Sequence, residues 1–397
     1  MKTKSILFSV IFLTFSCGFL WSGCSLSKIT ALAITGDKDP SAMAEFIYNP
    51  ADSRLKDRKF EQVPAVVATA DGKQVFVAWY SGGAAPGPGN YVTLSVSQDL
   101  GKSWLNDQLA IYPTDKAYRL FDPALWRDNK GKIHLFYGSA KNNLLWDGFG
   151  GVNALEIKWD GKRISNSIPI RISDGVMSNK PVNLSSIKQT LFPVYIDKPI
   201  LGTKSEKSFP QNGVFIYSNA YSRSEHKLQL SPYASIQIEE NLRIHDEPQV
   251  VEISEMGECL AMLRTTKGIY FTKSNDFGKT WAKIEPFTAS GPTTSSRFYL
   301  GKLSSGNLLL VSNNSTTRNK MSAFLSKDGG KTWPHKLVLD ERENVSYPDA
   351  DQTSDGTIHV VFDRERTGAK DILYCRFTEN DILNGNASVV FKNRVNK

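Results

Sequence analysis

Apolar residues along this chain recur in short alternating runs, not at a helical period. The segments "EQVPAVVATADGKQVFVAWY" from Glu61, "LFDPALWRDNKGKIHLFYG" from Leu120 and "SNKPVNLSSIKQTLFPVY" from Ser178 each set one apolar run against a second, more apolar one across a polar turn. Three later segments repeat the plan: "HDEPQVVEISEMGECLAMLR" from His245, "SSRFYLGKLSSGNLLLVSN" from Ser295 and "VSYPDADQTSDGTIHVVFD" from Val345. Alternation, β-branched and aromatic enrichment and Gly/Asp/Asn turns predict hairpins, and no long segment of period 3.6 competes.

The anchors Pro64, Pro123, Pro181, Pro248, Phe298 and Pro348 lie 59, 58, 67, 50 and 50 residues apart. That spacing suits one four-stranded antiparallel sheet per repeat. Six such sheets predict an all-β, six-bladed β-propeller, because each sheet buries its faces against its neighbours and ring closure protects the edges. In such a blade the first strand runs nearest the axis. Polar residues at its entrance end are therefore expected to meet at one mouth: Glu61, Gln62, Asp122, Lys180, Asp246, Glu247, Arg297 and Tyr347. Titratable groups converging in a concavity are the default place to look for function.

A second pattern, Ser-x-Asp-x-Gly-Lys-(Ser/Thr)-Trp, occurs at 97–104, 274–281 and 326–333. Its polar residues invite a reading as a site, but their chemistry is that of a turn. The expectation is scaffolding: the Asp satisfies turn amides and the Trp packs beneath them, on the side away from the mouth.

The chain begins with Lys2 and Lys4, then an apolar run and small residues before Cys24, the layout of a secretory signal peptide. The run falls short of the roughly 20 apolar residues of a membrane span. Ser22-Gly23-Cys24 resembles a bacterial lipobox. The resemblance implies a signal over 1–23, a lipid-modified Cys24, a linker over 24–45 and a propeller over 46–397, in an exported cell-envelope lipoprotein or a secreted protein.

Composition narrows the chemistry. Cys259 and Cys375 lie inside apolar strand-like runs and read as buried small hydrophobes. Five histidines with no close pair give no zinc spacing, so no metal or cofactor is expected, even beside His245. The net charge of +8 is carried by scattered residues. That suits an acidic ligand and argues against a nucleic-acid partner. Trp79, Tyr80, Trp126, Tyr137 and Trp146 read as inter-sheet core, with sugar stacking as the alternative. "DRERTGAK" over 363–370 reads as a solvated hairpin, with a rim contact to an anionic glycan as the alternative.

From about Phe60 to Leu383 the order of repeats and motifs resembles the bacterial sialidase (neuraminidase) superfamily, in its BNR-repeat, sialidase-like branch. "HDEPQVVEISEMGECLAMLRTT" resembles the segment that places the family's Glu on Glu247 and an Arg on Arg264. "NNSTTRNKMSAFLSKDGGKTW" places a further Arg on Arg318, and "ENVSYPDADQTSDG" places the Tyr nucleophile on Tyr347, 29 residues later. The resemblance implies a monomeric retaining glycosidase acting on sialylated or other acidic glycans. Its alternatives are a glycosidase for another acidic glycan and a non-catalytic glycan-binding propeller. A neutral phenol suits a substrate whose anomeric carbon carries a carboxylate, because a carboxylate nucleophile would meet like charge.

Two departures stand out. Gln62 occupies the place of the family's first clamp Arg, in "FEQVP" from Phe60. No carboxylate lies between Ser81 and Gln98, where the family keeps its acid/base Asp. By predicted position, Arg297 is expected to replace the Arg, and Asp122 or Glu61 to supply the acid.

Overall fold

The computed structural model describes residues 43–147, 150–196, 213–219 and 230–396. The expected signal segment and Cys24 lie outside these residues. The described chain forms six antiparallel sheets arranged as a six-bladed β-propeller, each sheet built from one contiguous stretch of sequence. The first strands of the blades are Phe60–Ala68, Tyr118–Arg127, Val182–Leu184, Gln249–Glu252, Tyr299–Lys302 and Val345–Gln352. Four blades have four strands, as the repeat length implies. The first and second have five: Ala44–Ile47 adds to the outer edge of blade one, and Gly151–Trp159 of blade two pairs with both Ile164–Asn166 and Ile170–Ser173.

Alternation explains why the blades stack. One cluster joins Val66, Val77 and Trp79 of blade one to Val361, Ile372 and Tyr374 of blade six. Others join blades two and three through Phe136 and Phe192, four and five through Met262 and Phe324, and five and six through Val311 and Val360. Each blade thus buries both faces, and ring closure completes the core. Cys259 and Cys375 are buried free thiols, and burial pushes each up to about 12.

The three Ser/Asp/Gly/Trp motifs close turns at the end of the blade away from the mouth. Ser97 pairs with Val75, which pairs with Ala68, at the far end of the strand that begins at Phe60. Asp276 accepts from the amides of Lys279 (3.1 Å) and Thr280 (2.9 Å) and from the Thr280 hydroxyl (2.6 Å). Asp99 and Asp328 repeat this arrangement. Gly101 adopts φ +80°, and a Cβ there would meet the Tyr374 ring.

The first strands have no backbone ladder between blades, so side chains staple them. Asp349 and Asp351 of blade six accept from the amides of Val66 and Ala68 in blade one, both at 2.8 Å. Lys180 of blade three donates to Val66 O (2.5 Å), Leu125 O (2.7 Å) and Asp349 (2.7 Å), tying blades one, two and six. Lys180 therefore corrects its expected place: its amine lies in the axial cavity that also borders Trp126, Gln249 and Asp351, apart from the mouth. Lys180→Met is expected to destabilise the fold by about 3 kcal/mol, since it leaves the Asp349 carboxylate buried without its cation. Thermal and urea unfolding check this, and an unchanged midpoint would refute it.

Candidate active site

Proline shapes the mouth. It has no amide to give a strand ladder, so a proline inside an inner strand forces a bulge. The register shifts between Gln62 and Ala65, between Phe121 and Ala124 and between Ser346 and Asp349, each time across a residue-proline pair. The residue before proline takes a left-handed φ: 54° at Val63, 45° at Asp122 and 53° at Tyr347. Glu247, before Pro248, matches them at 40°. Side chains with a Cβ enter that region at a cost, and a following proline ordinarily keeps its predecessor extended. Four blades pay this strain, and all four residues line one cavity of about 330 Å³.

Arg264, from the strand Cys259–Thr265, is the hub of the cavity. Its Nη1 donates to Glu247 Oε2 and to Tyr347 Oη, both at 3.1 Å. Burial opposes its charge, but Glu247 and Tyr347 outweigh burial and hold it firmly protonated. Arg318 reaches Tyr347 Oη with Nη2 at 3.5 Å, its guanidinium carbon 5.0 Å from the ring centre. Asp122 is buried in the same cavity. Burial raises its pKa above the ordinary aspartate value; Arg297 opposes this and the Glu247 carboxylate adds to it. Gln62 also lines the cavity, its Oε1 buried without a hydrogen-bond partner.

Besides Lys180, three expected mouth residues lie elsewhere. Arg297 is buried and borders no part of the cavity surface, with Nε and Nη1 unbonded, so it does not replace the lost clamp residue by contact. Glu61 turns into the seam between blades one and six, where it accepts from Trp79 (3.1 Å), Arg58 (3.2 Å) and Asn396. It is thereby excluded as the acid at the mouth. Asp246 is buried against Arg243, at 2.5 Å from Nη2.

Several polar residues of the cavity were not among the expected site residues. Arg119, His245 and Tyr195 line the cavity, and so does Arg366 from the turn read as a solvated hairpin. Arg366 lies over the Tyr347 ring, 4.2 Å from its centre. Of the five aromatics, only Tyr80 borders this cavity; Trp79, Tyr137 and Trp146 are buried core, and Trp126 borders the axial cavity. The 83–90 loop contributes Pro86 and is closed by Asn90, whose Oδ1 accepts from Gly87 N at 2.6 Å.

This geometry can be set beside known proteins. A search of curated proteins by sequence finds no match. Among solved structures, the fold is similar to a Hadza microbial sialidase (TM-score 0.61, 17% identity, covering 81% of this chain and 66% of that one). It is also similar to the NanB sialidase of Streptococcus pneumoniae (TM-score 0.58, 14% identity, 86% and 71% covered). A protein of unknown function from Dyadobacter fermentans matches over 95% of its own length and 83% of this chain (TM-score 0.57, 17% identity). The model of the BNR repeat-like domain matches residues 72–360. Most of the chain therefore lies within that match, and the protein belongs to the BNR repeat-like family.

Proposed function

We propose that the protein is a retaining exo-glycosidase that releases a terminal acidic sugar, sialic acid foremost, from glycans. The observation that carries this reading is the single nitrogen of Arg264 shared by the Glu247 carboxylate and the Tyr347 hydroxyl. Glu247 takes the phenolic proton as Tyr347 Oη attacks the anomeric carbon, and the glycosidic oxygen leaves with a proton from Asp122. Water then attacks the glycosyl-tyrosine, with Asp122 taking its proton and Glu247 returning one to the phenol. Arg264 and Arg318 hold the substrate carboxylate, since guanidinium groups are permanently charged, planar donors. Export through the signal segment and lipid attachment at Cys24 would bring this pocket to glycans outside the cytoplasm.

A second reading, a glycan-binding propeller without turnover, is favoured by the 83–90 loop, which offers the cavity Pro86 and no carboxylate. The deciding experiment gives methylumbelliferyl sialoside to the chain beginning at Ser25 and follows both fluorescence and the anomer first released, by NMR. Turnover with retained configuration is expected. Binding of sialylated glycans without turnover would leave the lectin-like reading, and an inverted product would remove the tyrosine nucleophile.

A further inference from the structure

We propose that Arg366 supplies the missing third cation of the substrate-carboxylate clamp, delivered from the last blade across the closure seam in place of the first-blade arginine that Gln62 replaces. The inference rests on the acidic-sugar reading above and adds a specificity residue to it.

Three observations carry it. First, Arg366 borders the same cavity as Arg264, Arg318 and Gln62 and lies closer to the Tyr347 ring than either other arginine: 4.2 Å, against 5.0 Å for Arg318 and 5.9 Å for Arg264. Second, its guanidinium is fixed before any ligand arrives. Nε pairs with Asp363 at 3.3 Å, and Nη2 donates to Ser346 Oγ at 2.8 Å. Asp363, fully buried, also accepts from Ser346 Oγ at 2.7 Å. Prior fixing lowers the entropy lost when a donor takes up a ligand. Third, the turn is stitched to blade one beside the vacated position. Arg366 O accepts from Glu61 N at 3.0 Å, and Asp363 accepts from Val63 N at 3.0 Å, so the residues flanking Gln62 are held by the segment that carries Arg366.

The physical logic is one of charge. Glutamine is uncharged and cannot hold a carboxylate as a guanidinium does, and the Gln62 Oε1 is buried without a hydrogen-bond partner. Arg264 already commits one nitrogen to Glu247 and Tyr347, so a further guanidinium at the cavity adds donors for the ligand carboxylate. Arg366 supplies that guanidinium from a different blade, and the same Asp363 then serves both ring closure and the positioning of the donor.

The test compares wild type, Arg366→Ala, Arg366→Lys and the double variant Arg366→Ala with Gln62→Arg. Each is titrated calorimetrically with the unsaturated glycal of sialic acid and with its neutral methyl ester, and assayed on methylumbelliferyl sialoside. Arg366→Ala is expected to weaken glycal binding and raise KM by about 10- to 100-fold, the scale of a lost hydrogen bond to a charged group, with little change for the ester. The lysine variant recovers part of the loss, and Gln62→Arg recovers about tenfold or more from the first blade. Thermal unfolding of each variant separates a damaged seam from a lost contact, because a seam defect weakens acid and ester alike. Unchanged KM in Arg366→Ala beside an active wild type, or equal losses for acid and ester, would overturn the assignment while leaving the hydrolase reading standing. A wild type that neither binds nor turns over the acidic probes sinks both.

Discussion

Tyr347→Phe is expected to abolish turnover of methylumbelliferyl sialoside, by a factor of at least about 10³, while glycal binding stays within about threefold. The substitution removes only Oη. The ring that Arg366 and Arg318 face remains, as does the bulge before Pro348, so the fold and the cavity wall survive. What is lost is the atom that accepts from Arg264 and would bond to the anomeric carbon. Positive charge aimed at that oxygen would stabilise negative charge developing there. A fluorinated sialosyl fluoride should label Tyr347 in the wild type, detectable by mass spectrometry of the peptide, and leave the phenylalanine variant unlabelled. Full-rate turnover by the variant would refute the nucleophile assignment.

Asp122→Asn is expected to show a dependence on the leaving group. A general acid matters most when the departing oxygen is basic, so the variant should lose about 10²- to 10⁴-fold on a natural sialyl-galactoside and far less on the aryl glycoside, whose leaving group needs no proton. The pH profile supplies a second sign. Burial raises the Asp122 carboxyl above the ordinary aspartate range, so it stays protonated to higher pH, and activity should fall as pH rises through that raised value. The asparagine variant should lack this alkaline limb on the natural substrate. Equal losses on both substrates, with the limb intact, would reassign Asp122 to holding the sugar.

Much of this architecture was legible because proline marks the same step in five of the six repeats. Spacing between those prolines yields the blade count, and the residue before three of them is Asp122, Glu247 or Tyr347. The two five-stranded blades escaped notice because Ala44–Ile47 and Ile164–Asn166 are short edge additions with little pattern of their own. Lys180 shows where the rule fails. It too precedes a proline, yet it does not take the left-handed turn, and its long amine runs along the axis to Val66 and Leu125. Glu61 was misplaced because side chains alternate along a strand, so the neighbour of Gln62 points away from the cavity, and Asp246, beside Glu247, is taken up by Arg243. Arg366 left only the signal of a charged turn, since its position depends on how the last blade meets the first. That meeting is a property of the closed ring, with no trace in local periodicity.

The left-handed seat before proline has one further consequence. In blades two, four and six it carries Asp, Glu and Tyr; in blade one it carries Val63, a β-branched residue poorly suited to φ 54° and held there by Asp363. The backbone of that seat is thus set by the ring, independently of the side chain mounted on it. Aspartate tolerates the left-handed region better than valine does. Blade one therefore presents Val63 at the cavity wall on a backbone that an aspartate would occupy with less strain, though at the cost of burying a polar group in the apolar packing that Val63 now fills.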